Sequence, residues 1–354
     1  MSVNFTRDRM QKVLDHYEAW WEHKLDRPLV FCTLYNARPV EPKAKAPALA
    51  QWSCADFSWT AEQMIEKMDE DFSGQEWLGD GYPLVSFDSF GPGVLAAFCG
   101  AVLDNSTGRV WFHAAEKKEI DKIHCVYDPE NKWVRRIKDL YRAGTSLWEG
   151  KVLMGMPDLG GVLDVAATLV GTEELLLDLY DAPEEVLRLV GEIETAWYAA
   201  FDDFAEILLP QGGYSNWAGI AGKKPGYIIQ CDFCYMLGNP MFRRFVLDTL
   251  RRDTERLEHV MYHLDGIGEL PHLDDILALP NVAAIQWEPG QGHPYGAYWM
   301  DVYRKIAAAG KHAWLTGSLE DNLAVIREIH GSPYLRVGFS YTDKAAAEKL
   351  LEVR

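Results

Sequence analysis

Eight short β-rich runs alternate with longer helical segments between about Gly81 and the end of the chain. A strand followed by a helix and then by a second strand is the repeating unit of parallel sheets. The predicted strands are 83–88, 151–156, 213–217, 227–232, 260–265, 283–288, 312–316 and 334–339. The main predicted helices are 173–206, 240–258, 299–309 and 319–329. Eight such units predict an α/β fold of the TIM-type (β/α)8 barrel class.

A doubly wound open sheet is the alternative arrangement of the same elements. Sheets of that kind commonly bind phosphates through a Gly-x-Gly-x-x-Gly or Walker-type loop after a strand. The sequence contains neither loop. The barrel is therefore the favoured interpretation.

Residues 1–80 are predicted to form an N-terminal helical and loop extension that packs on a barrel of residues 81–354. The extension begins with an amphipathic helix and continues with an apolar strand at 28–35. It then becomes loop-rich around Pro39 and Pro47.

Two further β-rich runs follow the first barrel strand, at 109–114 and 122–127. They are predicted to pair with each other as a small β-hairpin insertion.

The chain carries 53 acidic against 35 basic residues, a formal net charge of −18. Such a charge repels phosphate backbones and anionic lipid surfaces, which argues against nucleic-acid and membrane partners. The sequence has no apolar segment of signal-peptide length and no run near the roughly 18 residues of a membrane span, so a cytoplasmic location is predicted. Six cysteines in a chain of 354 residues do not form a disulfide framework. A homodimer is the default expectation for assembly.

Side chains at the carboxyl ends of barrel strands carry the chemistry of this fold. Carboxylates, a histidine, a cysteine and tryptophans stand at the predicted strand ends. The candidates are Asp88, Asp158, Trp217, Cys231, Asp232, His263, Asp265, Trp287, Glu288 and Tyr341. The predicted rim is thus rich in carboxylates and contains little Lys or Arg, which favours a cation as the occupant, either a metal or a methylated ammonium.

His263 and Asp265 are the strongest pair of candidates. Side chains alternate along a strand, so both point to the same side and can reach one metal ion. Imidazole nitrogen and carboxylate oxygen are both ordinary zinc ligands. The structural alternative is a core histidine hydrogen-bonded by its neighbouring aspartate. His272, on the following loop, is a further candidate for substrate binding or a residue that starts a helix.

Cys231 and Asp232 should point to opposite sides of the strand end, and the sequence leaves open which of them faces the pocket. The Cys231–Cys234 spacing has no second cysteine pair to complete a structural zinc site. Glu288 ends another strand and is a candidate ligand, acid/base group or helix cap.

Three segments, 157–186, 231–250 and 262–292, resemble the uroporphyrinogen decarboxylase superfamily. The resemblance covers roughly residues 81–350, implies a barrel, and favours the decarboxylase-like and corrinoid-dependent methyltransferase branch over the haem-pathway enzyme. The segment 86–93 looks similar to the family's Asp-bearing segment after the first barrel strand. The family's Arg-rich N-terminal motif is missing here, which disfavours a polyanionic porphyrinogen substrate.

The methyltransferase branch binds zinc through a His-x-Cys pair and a distant second cysteine. His263 stands at the position of that histidine, and Asp265 replaces the first cysteine. Ser340 and Tyr341 lie where the second cysteine would fall. The resemblance therefore implies a zinc site with oxygen ligands, a harder Lewis acid suited to an oxygen- or nitrogen-bearing methyl donor.

The leading hypothesis is a zinc-assisted methyltransferase that moves a methyl group from a small methylated compound to a separate corrinoid protein carrying cobalamin. Its roles are assigned as follows: His263 and Asp265 as ligands with Cys231 or Glu288, Asp88, Asp158 and Asp232 as acid/base or orienting groups, and Trp217, His272, Trp287 and Tyr341 as substrate contacts.

Two alternatives stay open. One is a cofactor-free decarboxylase or lyase acting on a small carboxylated substrate, which Arg109, Lys223 or Lys224 would hold. The other is a non-catalytic tetrapyrrole- or corrinoid-binding protein.

Overall fold

The computed structural model describes residues 2–329 and 331–352. Its strands are β1 (Leu29–Tyr35), β2 (Glu76–Gly79), β3 (Leu84–Val85), β4 (Val102–Asp104), β5 (Trp111–His113), β6 (Leu153–Met154), β7 (Tyr214–Ser215), β8 (Ala221–Gly222), β9 (Gly226–Gln230), β10 (His259–Asp265), β11 (Val282–Glu288), β12 (His312–Leu315) and β13 (Tyr334–Ser340).

Its α-helices are α1 (Arg7–Trp21), α2 (Ala61–Ser73), α3 (Leu95–Phe98), α4 (Lys132–Trp148), α5 (Val162–Val170), α6 (Thr172–Asp181), α7 (Pro183–Leu208), α8 (Asn239–Phe245), α9 (Leu247–Arg256), α10 (Leu273–Leu277), α11 (Met300–Ala308), α12 (Leu319–Glu328) and α13 (Lys344–Leu350). No helix within the described ranges combines the length and apolar character that crossing a membrane requires.

The main sheet has seven strands in the order β2-β1-β13-β12-β11-β10-β9. All neighbours are parallel except β1 and β2, which are antiparallel. Each of the eight predicted strands coincides with an observed one, although β3, β6 and β7 are only two residues long. The short strands β3 and β6 pair in parallel, and a single bridge joins Gly155 to Ser215. Within the described ranges these ladders do not join into one closed barrel.

The strand predicted at 28–35 belongs to the main sheet. It is β1, and it pairs in parallel with β13 from Leu29 beside Tyr334 to Tyr35 beside Ser340. The N-terminal segment thus supplies hydrogen-bonded strands to the sheet, a long-range pairing that local sequence patterns do not reveal.

The predicted hairpin has a different partner strand. The first run forms β5, but it pairs with β4, and the run 122–127 forms no strand. A turn explains the difference, because the Gly108 N–H donates to the Asn105 carbonyl at 3.0 Å and Gly108 has φ +85°. Glycine tolerates this left-handed backbone, so the chain reverses between β4 and β5, and these two strands pair with each other.

Two predicted helices are each divided in two. The helix predicted over 173–206 breaks at Ala182, because Pro183 lacks an N–H and begins a new helix at its first position. The helix predicted over 240–258 breaks at Val246, whose φ of −120° lies outside the helical region.

Helix α1 covers the amino end of the sheet with aromatic side chains. The Trp20 indole donates to the Ser332 carbonyl at 2.5 Å, and the Trp21 indole donates to the Ala221 carbonyl at 2.9 Å. The His312 ring stacks on Trp20 with centroids 4.7 Å apart and donates to the Trp20 carbonyl. Burial, with a smaller contribution from the stacked His23 ring, lowers the pKa of His312 to about 4.

His312 is predicted to make the fold sensitive to acid. The folded state keeps the ring neutral, whereas the unfolded chain takes up a proton below about pH 6.5. The stabilisation that comes from the neutral His312 ring is therefore fully present above about pH 6.5. As the pH falls from there to about pH 4, the free energy of unfolding decreases by about 3 kcal/mol. In His312→Gln the loss should largely disappear, as measured by denaturant unfolding at a series of pH values.

The matched control is His113→Gln, because His113 is exposed on β5. The control should keep the wild-type pH slope. An unchanged slope in His312→Gln would contradict the assignment.

Candidate functional site

Parallel pairing sets the side chains of neighbouring strands at common heights on the sheet. His263 of β10 lies beside Gln230 of β9 and Gln286 of β11. Two residues further along, Asp265 lies beside Glu288. Since side chains alternate along a strand, all five share one face of the sheet, called the inner face from here on.

The opposite face of the sheet is covered by helices. Tyr262, Leu264 and Trp287, which alternate with the inner-face residues, are all 0% exposed. Polar side chains with solvent access are therefore concentrated on the inner face.

Asp232, His263 and Asp265 form the main cluster of the inner face. One nitrogen or oxygen atom of each lies within 4.8 Å of one from each of the others. The His263 Nε2 atom is 3.8 Å from an Asp265 carboxylate oxygen. Asp232 enters the cluster because it begins a 3-10 turn, Asp232–Met236, directly after β9.

A hydrogen bond fixes the orientation of the His263 ring. Its Nδ1 atom is 2.8 Å from the Gln286 Oε1 atom. An amide oxygen only accepts, so Nδ1–H donates to it, and Nε2 is the ring nitrogen left to face the carboxylates. The Trp217 ring meets the imidazole edge-on, with centroids 5.4 Å apart.

Asp164 positions the Asp232 turn. Its carboxylate accepts the Phe233 N–H at 2.7 Å and the Asp232 N–H at 3.2 Å. Burial and the neighbouring Asp232 carboxylate raise the pKa of Asp164. Burial and Asp265 likewise raise the pKa of Asp232, which is surrounded by protein atoms although solvent reaches it.

Asp158 is a buried carboxyl group next to the cluster, only 2% exposed. It accepts the Gly160 N–H at 2.9 Å and the Gln230 amide at 3.4 Å. Burial, followed by repulsion from Asp232 and Asp88, raises the pKa of Asp158 well above its usual range. Burial therefore favours the neutral form of the Asp158 carboxyl group.

Two carboxylates and an oriented imidazole match the ligand chemistry of zinc and similar divalent cations. When both carboxylates bind a cation, its positive charge would also offset the repulsion between Asp265 and Asp232, which raises the pKa of Asp232. The Gln286 amide supplies the kind of outer hydrogen bond that orients metal-ligating histidines. The donor set of this cluster thus fits a metal ion held by nitrogen and oxygen.

Two sequence candidates for metal ligands lie outside the cluster. Cys231 is buried among Gly160, Tyr227 and Phe245, and burial with the neighbouring Cys234 raises the pKa of its thiol. The question left open by the sequence is therefore answered in favour of Asp232. Glu288 is on the inner face beside Asp265, where it raises the pKa of the nearby Tyr295 hydroxyl to about 12, but it is not one of the three clustered groups.

Three predicted substrate contacts also lie elsewhere. Trp287 packs edge-on against Trp299 at 5.2 Å on the helix-covered face. His272 is 0% exposed and stacks on Phe242 at 4.2 Å. Tyr341 is 41% exposed in the turn that follows β13. Trp217 is the predicted aromatic residue that the structure brings to the cluster.

Asp88 lies near the site without joining the cluster. It is half-buried in the 3-10 turn Phe87–Phe90, where burial raises its pKa and Gln51 and Arg109 lower it. Its charge acts on Asp158.

Sequence reasoning missed Asp164, Gln230 and Gln286. The signals were present: Asp164 is the third residue after Gly161 at a helix start, and both glutamines stand at predicted strand ends. Gln286 is also two residues before Glu288, a candidate ligand, and therefore points to the same side of the strand.

A cleft of about 740 Å³ opens beside Asp164 and Asp232. The β5 hairpin forms one wall through Trp111 and His113, and Lys117 lies on its rim. This cleft offers a small molecule a route to the Asp232 turn.

Gln286→Leu is predicted to lower zinc affinity about 10- to 100-fold, because His263 loses the hydrogen bond that orients it. His263→Ala should lower the affinity further, because it removes a ligand. Both are measured by competition with a chromophoric chelator. Cys231→Ala is the control and should bind zinc like the wild type. Loss of zinc in Cys231→Ala comparable to that in His263→Ala would refute the assigned ligand set.

The sequence matches no family model and no curated protein. Among solved structures, it is similar to a methyltransferase from Methanosarcina mazei, with a TM-score of 0.59 and 12% sequence identity. The match covers 93% of each chain. The two proteins therefore share a fold over nearly their whole lengths.

Proposed function

We propose that this protein is a metal-dependent methyltransferase, with zinc held by Asp232, His263 and Asp265. The observation that carries the proposal is this cluster, with an imidazole whose free nitrogen is turned toward two carboxylates. The fold shared with a protein named as a methyltransferase supports the same class. We further propose that the pair β3-β6, strand β7 and the main sheet together correspond to a (β/α)8 barrel.

The donor set favours a methyl group attached to oxygen or nitrogen. Nitrogen and oxygen ligands make a bound divalent ion a hard Lewis acid, which would polarise the heteroatom that leaves the methyl group. A thiol substrate would be better served by thiolate ligands, and neither Cys231 nor Cys234 reaches the cluster.

The protein's own residues divide the remaining tasks. Gln286 holds the His263 tautomer, and Trp217 limits the space beside the imidazole. Burial favours the protonated form of Asp158, and a protonated carboxyl group there could donate to a departing alkoxide or amine. Asp164 keeps the Asp232 turn in place.

The proposed methyl acceptor is cobalamin carried by a separate corrinoid protein. The proposal rests on the resemblance of the sequence to the corrinoid-dependent branch of the superfamily. The reaction transfers a methyl cation equivalent to reduced cobalt, leaving the heteroatom with the bonding electron pair.

Decarboxylation of a small carboxylic acid is the second candidate. Asp158 favours it, because burial raises the pKa of its carboxyl group, and a carboxyl group in its protonated form can protonate the carbanion left by departing carbon dioxide. This reaction would proceed in metal-free protein.

The test is methylcobalamin formation from reduced cobalamin by zinc-loaded protein, with methylamine, methanol and 3-methoxypropionate as donors. His263→Ala and Asp265→Asn should each lower the rate at least about tenfold, because each removes a metal ligand. Arg304→Gln, on the outer helix α11, is the control and should retain the wild-type rate.

Equal rates in metal-free and zinc-loaded protein would contradict the proposal. Release of carbon dioxide from a carboxylated donor by the metal-free protein would favour decarboxylation instead.

A further inference from the structure

Arg336 places a positive charge on the inner face of the sheet. Tyr334 of β13 lies beside Trp314, and Trp314 lies beside Gln286, which is at the height of His263. Arg336 is two residues beyond Tyr334, so it shares this face and lies at about the height of Asp265.

The Arg336 guanidinium is held in place by neutral groups. Its Nη1 donates to the Ala218 carbonyl at 3.2 Å, and its Cζ lies 4.8 Å from the centroid of the Phe31 ring. Gly219 makes room for it, since a Cβ there would lie 2.5 Å from Nη1.

Arg336 is exposed, and no carboxylate of the described chain forms an ion pair with it. Several other arginines of this acidic protein do form ion pairs. For example, Arg243 pairs with Asp275 and Arg252 pairs with Glu194. The side chain of Arg336 thus keeps most of its N–H donors free.

The same loop contacts both Arg336 and the metal-ligand cluster. Trp217 lies against His263, and the carbonyl of the next residue, Ala218, accepts from Arg336. The guanidinium and the imidazole therefore both contact the segment 217–218.

Two of the three cations predicted from the sequence to hold a carboxylate are paired with other carboxylates. Lys223 pairs with Asp15 of α1, and Lys224 pairs with Glu258. Arg109 is exposed and acts on Asp88.

We propose that Arg336 binds the carboxylate of a small anionic substrate whose other end reaches Asp232, His263 and Asp265. A planar guanidinium donates two parallel hydrogen bonds to a carboxylate, which gives both affinity and orientation. An anionic substrate can enter this acidic site because its charge is bound across the inner face from the acidic cluster. The identity of the reacting end rests on the proposed function, whereas the carboxylate site does not.

The test compares 3-methoxypropionate with its amide, 3-methoxypropionamide, two probes that differ only in the anionic group. Dissociation constants are measured by calorimetry and by saturation-transfer NMR, with and without zinc. Wild-type protein should bind the carboxylate at least about tenfold more tightly than the amide, the size expected for hydrogen bonds to a charged group.

Arg336→Gln should abolish the preference, and Arg336→Lys should weaken it, because lysine keeps the charge but not the two-pronged geometry. Arg304→Gln is the matched control and should keep the preference. Thermal unfolding of each variant shows that it is folded, and Arg336→Lys carries the test if Arg336→Gln is not.

Equal binding of acid and amide, a preference that survives in Arg336→Gln, or no saturable binding of the carboxylate would each overturn the proposal. His263→Ala separates the two proposals: loss of zinc alone with the preference intact supports the Arg336 site, and an absence of zinc in wild-type protein would contradict only the proposed function.

Discussion

Mutual repulsion among carboxyl groups that follow β6, β9 and β10 is the constraint on which the site depends. Burial and mutual repulsion raise the pKa values of Asp158, Asp164 and Asp232, and the nearby Asp265 adds to the repulsion on Asp232. The structure resolves this in three ways. Asp164 accepts hydrogen bonds from backbone N–H groups, and burial favours the protonated form of Asp158. Asp232 and Asp265 lie beside His263, where a cation would offset their charges.

The inner face is electrostatically divided. Carboxylates occupy the β9 to β11 side, and Arg336 occupies β13, three strands from His263 in the sheet order. The net charge of −18 describes the whole chain and hides this division. A site that repels polyanions can still accept one carboxylate where a free guanidinium meets it.

The sequence was informative wherever a property is local. Strand positions followed from short apolar runs, and the pairing of His263 with Asp265 followed from two-residue alternation. The same alternation puts Trp287 on the opposite face of the sheet from Glu288, so the position of Trp287 on the helix-covered face was predictable. The hairpin prediction was wrong, because it overlooked a local signal, the turn that ends at Gly108 and joins β4 to β5.

Other features depend on contacts between distant segments and could not be read from local patterns. The pairing of β1 with β13 joins residues about three hundred positions apart in the chain. Asp232 faces the cluster because Asp164, which lies on helix α5, accepts hydrogen bonds from the N–H groups of the Asp232 turn. Arg336 became recognisable as a site residue only when strand register placed it at the height of Asp265.

The central claim is that a metal ion is held by nitrogen and oxygen from Asp232, His263 and Asp265. X-ray absorption spectroscopy at the zinc edge of the zinc-loaded protein tests it most directly. We predict a first shell of nitrogen and oxygen atoms at about 2.0–2.2 Å, with an imidazole signature that is lost in His263→Ala. A sulfur shell at about 2.3 Å would contradict the account, because it would place a cysteine such as Cys231 on the metal.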